Sequence, residues 1–210
     1  MPQRPDPSRT PHCYTRGYLP HHDVSGLCQL LTFRQDDSIP ARLAWAYDRV
    51  VAKATTPAEV ERARDRVFAH SERYLGHGRG TCRLRDPRAV ESTLHFHRRD
   101  YELIAWVVMP NHVHVIVRPT GATLALITRR WKSWTARQIN GIFGTTGRFW
   151  QPEVFDRRIR GLEDQDTAIR YVELNPVHAG LCRNPIDWPF SSARLRPERW
   201  GGSGEVDGFG

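Results

Sequence analysis

The stretch from Tyr101 to Met109 is strongly apolar and has the length of a strand, Pro110-Asn111 is turn chemistry, and His112 to Arg118 alternates with period two. Two strand-length runs joined by a two-residue turn predict a β-hairpin. Successive strand residues point to opposite faces, so Val113, Val115 and Val117 are expected against a core. His112 and His114 then share the other face. Whatever this chain folds into must be built around an antiparallel pair with one buried face.

The flanking segments supply the rest of the architecture. Leu27 to Arg34 reads as a first strand and Arg42 to Val51 as a short helix. Thr56-Pro57-Ala58-Glu59 is a capping box with proline at the first helical position, opening a polar helix to about Tyr74. A glycine-rich break at Gly76 to Gly80 ends it. Asp86-Pro87 starts another helix, running to about Arg98. Leu124, Ile127, Trp131 and Trp134 recur at helical spacing, giving an amphipathic helix over 122–140. A short strand over 154–160 and a helix over 163–175 follow, with Pro176 expected to end or kink the latter near Asn175. The order β-α-α-α-β-β-α-β-α is not a strict βαβα alternation and fits an α+β sheet with helices on one face.

Composition narrows the function. With 39% hydrophobic and 26% charged residues, the 210-residue chain is neither disordered nor fibrous. Its longest wholly apolar run, Leu103 to Met109, is far short of the roughly 18 residues of a membrane span. Residues 1–23 are a proline-rich arm and 197–210 a glycine-rich tail, leaving one domain at 24–196. The four cysteines are scattered without a C-x-x-C pair, and the N-terminal stretch has no apolar core of a signal peptide. Both point to the reducing cytoplasm. Basic residues number 31 against 23 acids, a net +8, and all but Lys53 and Lys132 are arginine. Such a balance attracts a polyanion, and guanidinium forks match phosphate oxygens.

Two H-x-H triplets occur, His95-Phe96-His97 and His112-Val113-His114. On a helix, residues i and i+2 diverge, so His95 and His97 read as partly buried or surface histidines. On a strand the imidazoles of His112 and His114 lie side by side and can share a metal. A hydrogen-bonded histidine pair on a half-exposed strand is the alternative, and the triplet alone does not decide. Tyr171 and Asn175 are four residues apart on one face of a helix, so a phenol and an amide oxygen can project together, one to attack and one to hold a metal. A buried aromatic in a helix ending at Asn-Pro is the competing reading. Two imidazoles and an amide oxygen favour Mg²⁺ or Mn²⁺ over structural zinc. With a pKa near 10, only about one phenol in a thousand is ionised at pH 7, so the tyrosine needs assistance.

Tyr-Glu-Leu-Ile-Ala-Trp-Val-Val-Met-Pro-Asn-His-Val-His (101–114), Phe-Trp-Gln followed by Phe-Asp-Arg-Arg-Ile-Arg (149–160) and Tyr-Val-Glu-Leu-Asn-Pro-Val-His-Ala-Gly-Leu (171–181) together resemble the REP-associated tyrosine transposases, members of the single-tyrosine HUH superfamily. The resemblance spans roughly 24–194. It implies a ferredoxin-like α+β fold of the HUH endonuclease type, with the histidines on a central strand and the tyrosine on a later helix. It also implies cleavage of single-stranded, hairpin-forming repeat DNA through a 5′-phosphotyrosine, with a free 3′-OH. By position, Tyr171 is the nucleophile, His112 and His114 are metal ligands, and Asn175 is the third ligand. His178 stands where the family pattern has Arg or Lys. As for assembly and location, the resemblance is compatible with a monomer or a homodimer acting at the nucleoid of a bacterium.

Between residues 118 and 170 ten cations face five acids, a local +5. Arg118, Arg129, Arg130, Lys132, Arg137, Arg157, Arg158 and Arg160 are the candidate DNA-binding residues among them. Trp131, Trp134, Trp150 and Phe155 are interleaved, and any that are exposed can stack on unpaired bases. Trp131 is expected in the core. Two rival functions remain open at this point: a domesticated module that binds structured single strands without cutting, and a metal hydrolase in which water attacks.

Overall fold

In the computed structural model, residues 26–201 are described apart from 78–79, 81, 83, 85–86 and 96–98, together with 13–15 and 20–22. The hairpin is the pair β4 (Tyr101–Val108) and β5 (His112–Pro119), closed by Pro110-Asn111 with Met109 N–H on the His112 carbonyl at 2.9 Å. Ahead of it lie β1 (Cys13–Thr15), β2 (Pro20–His22), β3 (Gln29–Arg34), α1 (Ala41–Ala52), α2 (Pro57–Leu75) and α3 (Arg88–His95). After it come α4 (Leu124–Phe143), β6 (Phe155–Arg158), α5 (Gly161–His178) and α6 (Pro197–Trp200). A four-stranded antiparallel sheet runs β4-β5-β3-β6, while β1 and β2 pair separately. This is the α+β fold expected from the sequence, an antiparallel sheet with helices packed on it.

Helices cover both sides of the sheet, which corrects the expectation of helices on one face. Val113, Val115 and Val117 pack with Leu31, Phe33, Leu124, Ile127 and Trp131 on the side of α3 and α4. Leu30, Ile104, Val107 and Ile116 pack with Ile169 and Val172 of α5 on the other. The hairpin therefore has two buried faces. The unbroken apolar run in β4 is what such a strand looks like, whereas one-sided strands alternate. His112 and His114 share the α5 face with Ile116 and are 1% and 0% exposed, so they do not sit on a half-exposed strand.

Local signals placed most helix starts correctly. At α2 the capping box is complete, with Thr56 Oγ1 accepting from Glu59 N–H and Glu59 accepting from Thr56 N–H. Two helix ends depart from expectation. Pro176 lies inside α5, buried in its last turn. A proline there removes one N–H from the end of the ladder, and the stop is Gly180 instead, whose φ of 69° forms a Schellman closure (Leu181 N–H to Pro176 O, Gly180 N–H to Val177 O). Likewise α4 runs past residue 140 to Phe143, ending at Gly144 with φ 60°.

Strand β4 is an edge of the sheet, and the chain near the C-terminus protects it. Val108 N–H donates to Phe190 O at 2.9 Å, and Trp106 N–H to Ser192 Oγ at 3.1 Å. This strap is tied to α5 through buried Glu173, which accepts from Ser192, Arg196 and Trp200. Helix α6 falls within the stretch assigned to the tail; residues 202–210, most of the N-terminal arm and His97 lie outside the described residues. No helix among the described residues is long and apolar enough to cross a membrane.

Candidate metal and nucleophile site

Each imidazole is fixed by its own partner. Thr32 of β3 sits opposite His114 in the register, and its Oγ1 lies 2.8 Å from His114 Nδ1. His112 Nδ1 donates to Asn111 Oδ1 at 2.6 Å, while Asn111 Nδ2 donates to the Leu75 carbonyl at 3.2 Å. The turn asparagine thus does more than turn the chain: it selects the His112 tautomer whose Nε2 carries the lone pair, as outer-shell partners of metal-binding histidines do.

On α5, Tyr171 stands over His114, ring centroids 5.6 Å apart, and packs against Phe68 of α2 at 6.0 Å. Asn175, one turn on, has its side chain against both His112 and Tyr171. The structure therefore brings together His112, His114, Tyr171 and Asn175.

It also adds a residue that the sequence reading missed. Glu72, on α2, places Oε2 where the Tyr171 hydroxyl donates to it and 3.0 Å from His114 Nε2. Phe68 and Glu72 are four residues apart, so one face of α2 carries both the wall and the carboxylate. In a helix read as polar, the available signal was an acid next to the buried positions Ala63, Val67, Ser71 and Leu75. Potential ligand atoms of Glu72, His112 and His114 all lie within 4.8 Å of one another.

The lone pairs show that these residues fit a cation. Nε2 of His112 and of His114, and Oε1 of Glu72, are buried without a hydrogen bond. The 3.0 Å approach of Glu72 to His114 is close but not aligned as a hydrogen bond, so the ion-pair distance overstates it. Unsatisfied buried polar atoms are costly, and a divalent ion held between His112, His114 and Glu72 would satisfy them. Burial, then the charge of His114, pushes His112 down to about 3, which keeps its imidazole neutral and ready to ligate. For Glu72, burial opposes ionisation, but His114 and His112 outweigh it and hold the carboxyl at about 2. Burial and the adjacent Glu72 carboxylate push the Tyr171 phenol well above its ordinary value, with Arg157 pulling weakly the other way.

The candidate DNA-binding cations are spread out. Helix α4, with Arg129, Arg130, Lys132 and Arg137, packs on the sheet face opposite the histidines. Several cations are engaged within the protein: Arg118 with Glu102, Arg130 with Asp100, Arg157 with Asp164 and Arg160 with Glu61. Lys132 Nζ donates to the carbonyls of Gln151 and Pro152, and burial lowers it to about 8. Arg129, Arg137 and Arg158 meet no carboxylate among the described residues. Of the aromatics, Trp131, Trp150 and Phe155 are buried, whereas Trp134 is 50% exposed.

Comparison with known proteins agrees with this architecture. Residues 92–175 match the family described as Transposase IS200 like. A REP-associated tyrosine transposase of Escherichia coli strain K12 is 34% identical over 111 residues, covering 50% of this chain and 65% of that protein, a little under two thirds of its length. A solved structure of a REP-associated tyrosine transposase bound to a REP hairpin shares the fold, with a TM-score of 0.52 at 22% identity over 90% of this chain and 92% of that one. Part of the chain, residues 92–175, is thus similar to the IS200-like transposases, and the chain is similar, in sequence and in fold, to REP-associated tyrosine transposases.

Proposed function

We propose that the chain, through a unit spanning 24–196, is a metal-dependent endonuclease and strand transferase acting on single-stranded, hairpin-forming repeat DNA. The observation that carries this reading is the meeting of the Tyr171 hydroxyl with Glu72 beside two buried imidazoles, those of His112 and His114. The hairpin held by the structural relative supports the substrate class.

In this reading Tyr171 Oη attacks the phosphorus of a phosphodiester. The Oη–P bond forms as the P–O3′ bond breaks, leaving the 5′-phosphate on the tyrosine and a free 3′-OH once the leaving oxygen takes a proton. Glu72 Oε2, which accepts from the phenol, orients it, and the phenol proton leaves past this carboxylate to solvent as the Oη–P bond forms. His112, His114 and Glu72 would hold Mg²⁺ or Mn²⁺, with Asn175 beside them. When bound, such an ion neutralises charge developing on the phosphoryl oxygens. Arg157, whose charge reaches Tyr171, favours the phenolate as it forms. The phosphotyrosine conserves the energy of the broken bond, so rejoining to a new 3′-OH requires no nucleotide cofactor.

Incubating the protein with labelled hairpin oligonucleotides, with Mn²⁺ or EDTA, on a denaturing gel tests this reading. A metal-dependent, slowly migrating adduct lost in Tyr171→Phe and His112→Ala is the expected result. Cutting without an adduct would indicate attack by water, and binding without cutting a non-cleaving module.

A further inference from the structure

We propose that the groove between α3 and α4 is a second nucleic-acid contact, where Trp134 stacks an unpaired base and Arg137 holds its phosphate, on the sheet face opposite Tyr171. The inference rests on the single-stranded DNA reading above and adds where, away from the reacting centre, the strand is gripped. Trp134 is 50% exposed, while the neighbouring Trp131 is 2%. The guanidinium of Arg137, one turn on, lies 5.5 Å from the Trp134 ring centroid. Together with Ser92, Thr93, Arg129 and Ser133 they line a groove of about 530 Å³, within the roughly 300–1,000 Å³ of small-ligand sites.

The chemistry of the lining selects the occupant. Among the described residues, no acid borders the groove. Arg130 is neutralised by Asp100 at 2.5 Å, but Arg129 and Arg137 meet no carboxylate among the described residues. Two uncompensated guanidinium groups call for an anion, and a flat exposed indole offers stacking. An apolar protein partner would leave both cations without counter-charge, whereas a nucleotide satisfies ring and charge together. Because α4 and α5 lie on opposite sides of the sheet, a strand held here must pass around the sheet to reach Tyr171. The groove therefore governs how tightly DNA is held and leaves the chemistry of bound DNA alone.

The test uses the full chain carrying Tyr171→Phe, so that DNA is bound but not cut, and reads anisotropy of a labelled DNA hairpin with a short single-stranded flank. Adding Trp134→Ala is expected to weaken binding about 10-fold, with Trp134→Phe retaining most of the affinity. Adding Arg137→Ala is expected to reduce the slope of log affinity against log salt by about one. Hairpin affinity within twofold of the parent for Trp134→Ala overturns the proposal. A change in sedimentation with DNA affinity unchanged also overturns it, in favour of a protein interface. If Tyr171 forms no adduct, the cleavage reading fails separately, because binding is measured in the phenylalanine variant.

Discussion

The hydroxyl of Tyr171 donates to Oε2 of Glu72, a residue 99 positions earlier in the chain on a helix that the sequence marks only as polar. That one contact joins α2 to α5 across the histidine strand, and the site's electrostatics depend on it. Removing the charge while keeping the shape is the sharpest probe. Glu72→Gln is expected to lower Mn²⁺ affinity at least 10-fold and to slow adduct formation by about 10²-fold or more. Calorimetric titration with Mn²⁺ and single-turnover gels read the two separately.

Asn111→Ala removes the acceptor of His112 Nδ1 and the donor to the Leu75 carbonyl at once. Two buried polar groups lose their partner, at a cost of about 1–3 kcal/mol each at most. Urea unfolding should show a lower midpoint with an unchanged m-value. Mn²⁺ affinity should fall about 10-fold to 100-fold, because the imidazole is no longer held in the ligating tautomer.

Without metal, stability should decline as the solution is acidified. The folded-state value of His112, about 3, lies below its ordinary 6.5, so the unfolded chain takes up the proton first. Stability is then lost as pH falls from about 6.5 towards about 3. Glu72, held at about 2 against an ordinary 4.5, acts in the same direction between those values. Urea midpoints in EDTA across pH 4 to 8 check the sign, roughly flat above 7 and falling below 6. A midpoint that rises on acidification contradicts it.

How far the sequence revealed all this depends on whether the determining contact is local. The capping box of α2, the Pro110-Asn111 turn and the alternation of β5 are signals within a few residues, and the structure follows them. Pro176 was a local signal that misled, since near the end of a helix a missing N–H removes little and Gly180 supplies the closure. Glu72 was not legible as a site residue, because its importance comes from α2 crossing the histidine face. The separation of α4 from Tyr171 was equally hidden: charge counted along the sequence does not record which side of a sheet each cation occupies.

Glu173→Ala should loosen the strap over the edge of β4. The buried carboxylate accepts from Ser192, Arg196 and Trp200, and deleting one partner of a buried ion pair typically costs about 3–5 kcal/mol. Because the Arg196 side chain retains 30% exposure, the lower end is expected. Limited proteolysis should then cut between residues 181 and 200 before the rest of the chain.

The central claim is that Tyr171 itself becomes covalently joined to DNA. The most direct measurement is mass spectrometry of the gel-purified adduct after nuclease and trypsin digestion. The account predicts a nucleotide 5′-phosphate on the peptide beginning at Tyr171, after cleavage at Arg170, in Mn²⁺ and not in EDTA. Modification on another tyrosine, or cleaved DNA with a free 5′-phosphate and no modified peptide, would contradict it.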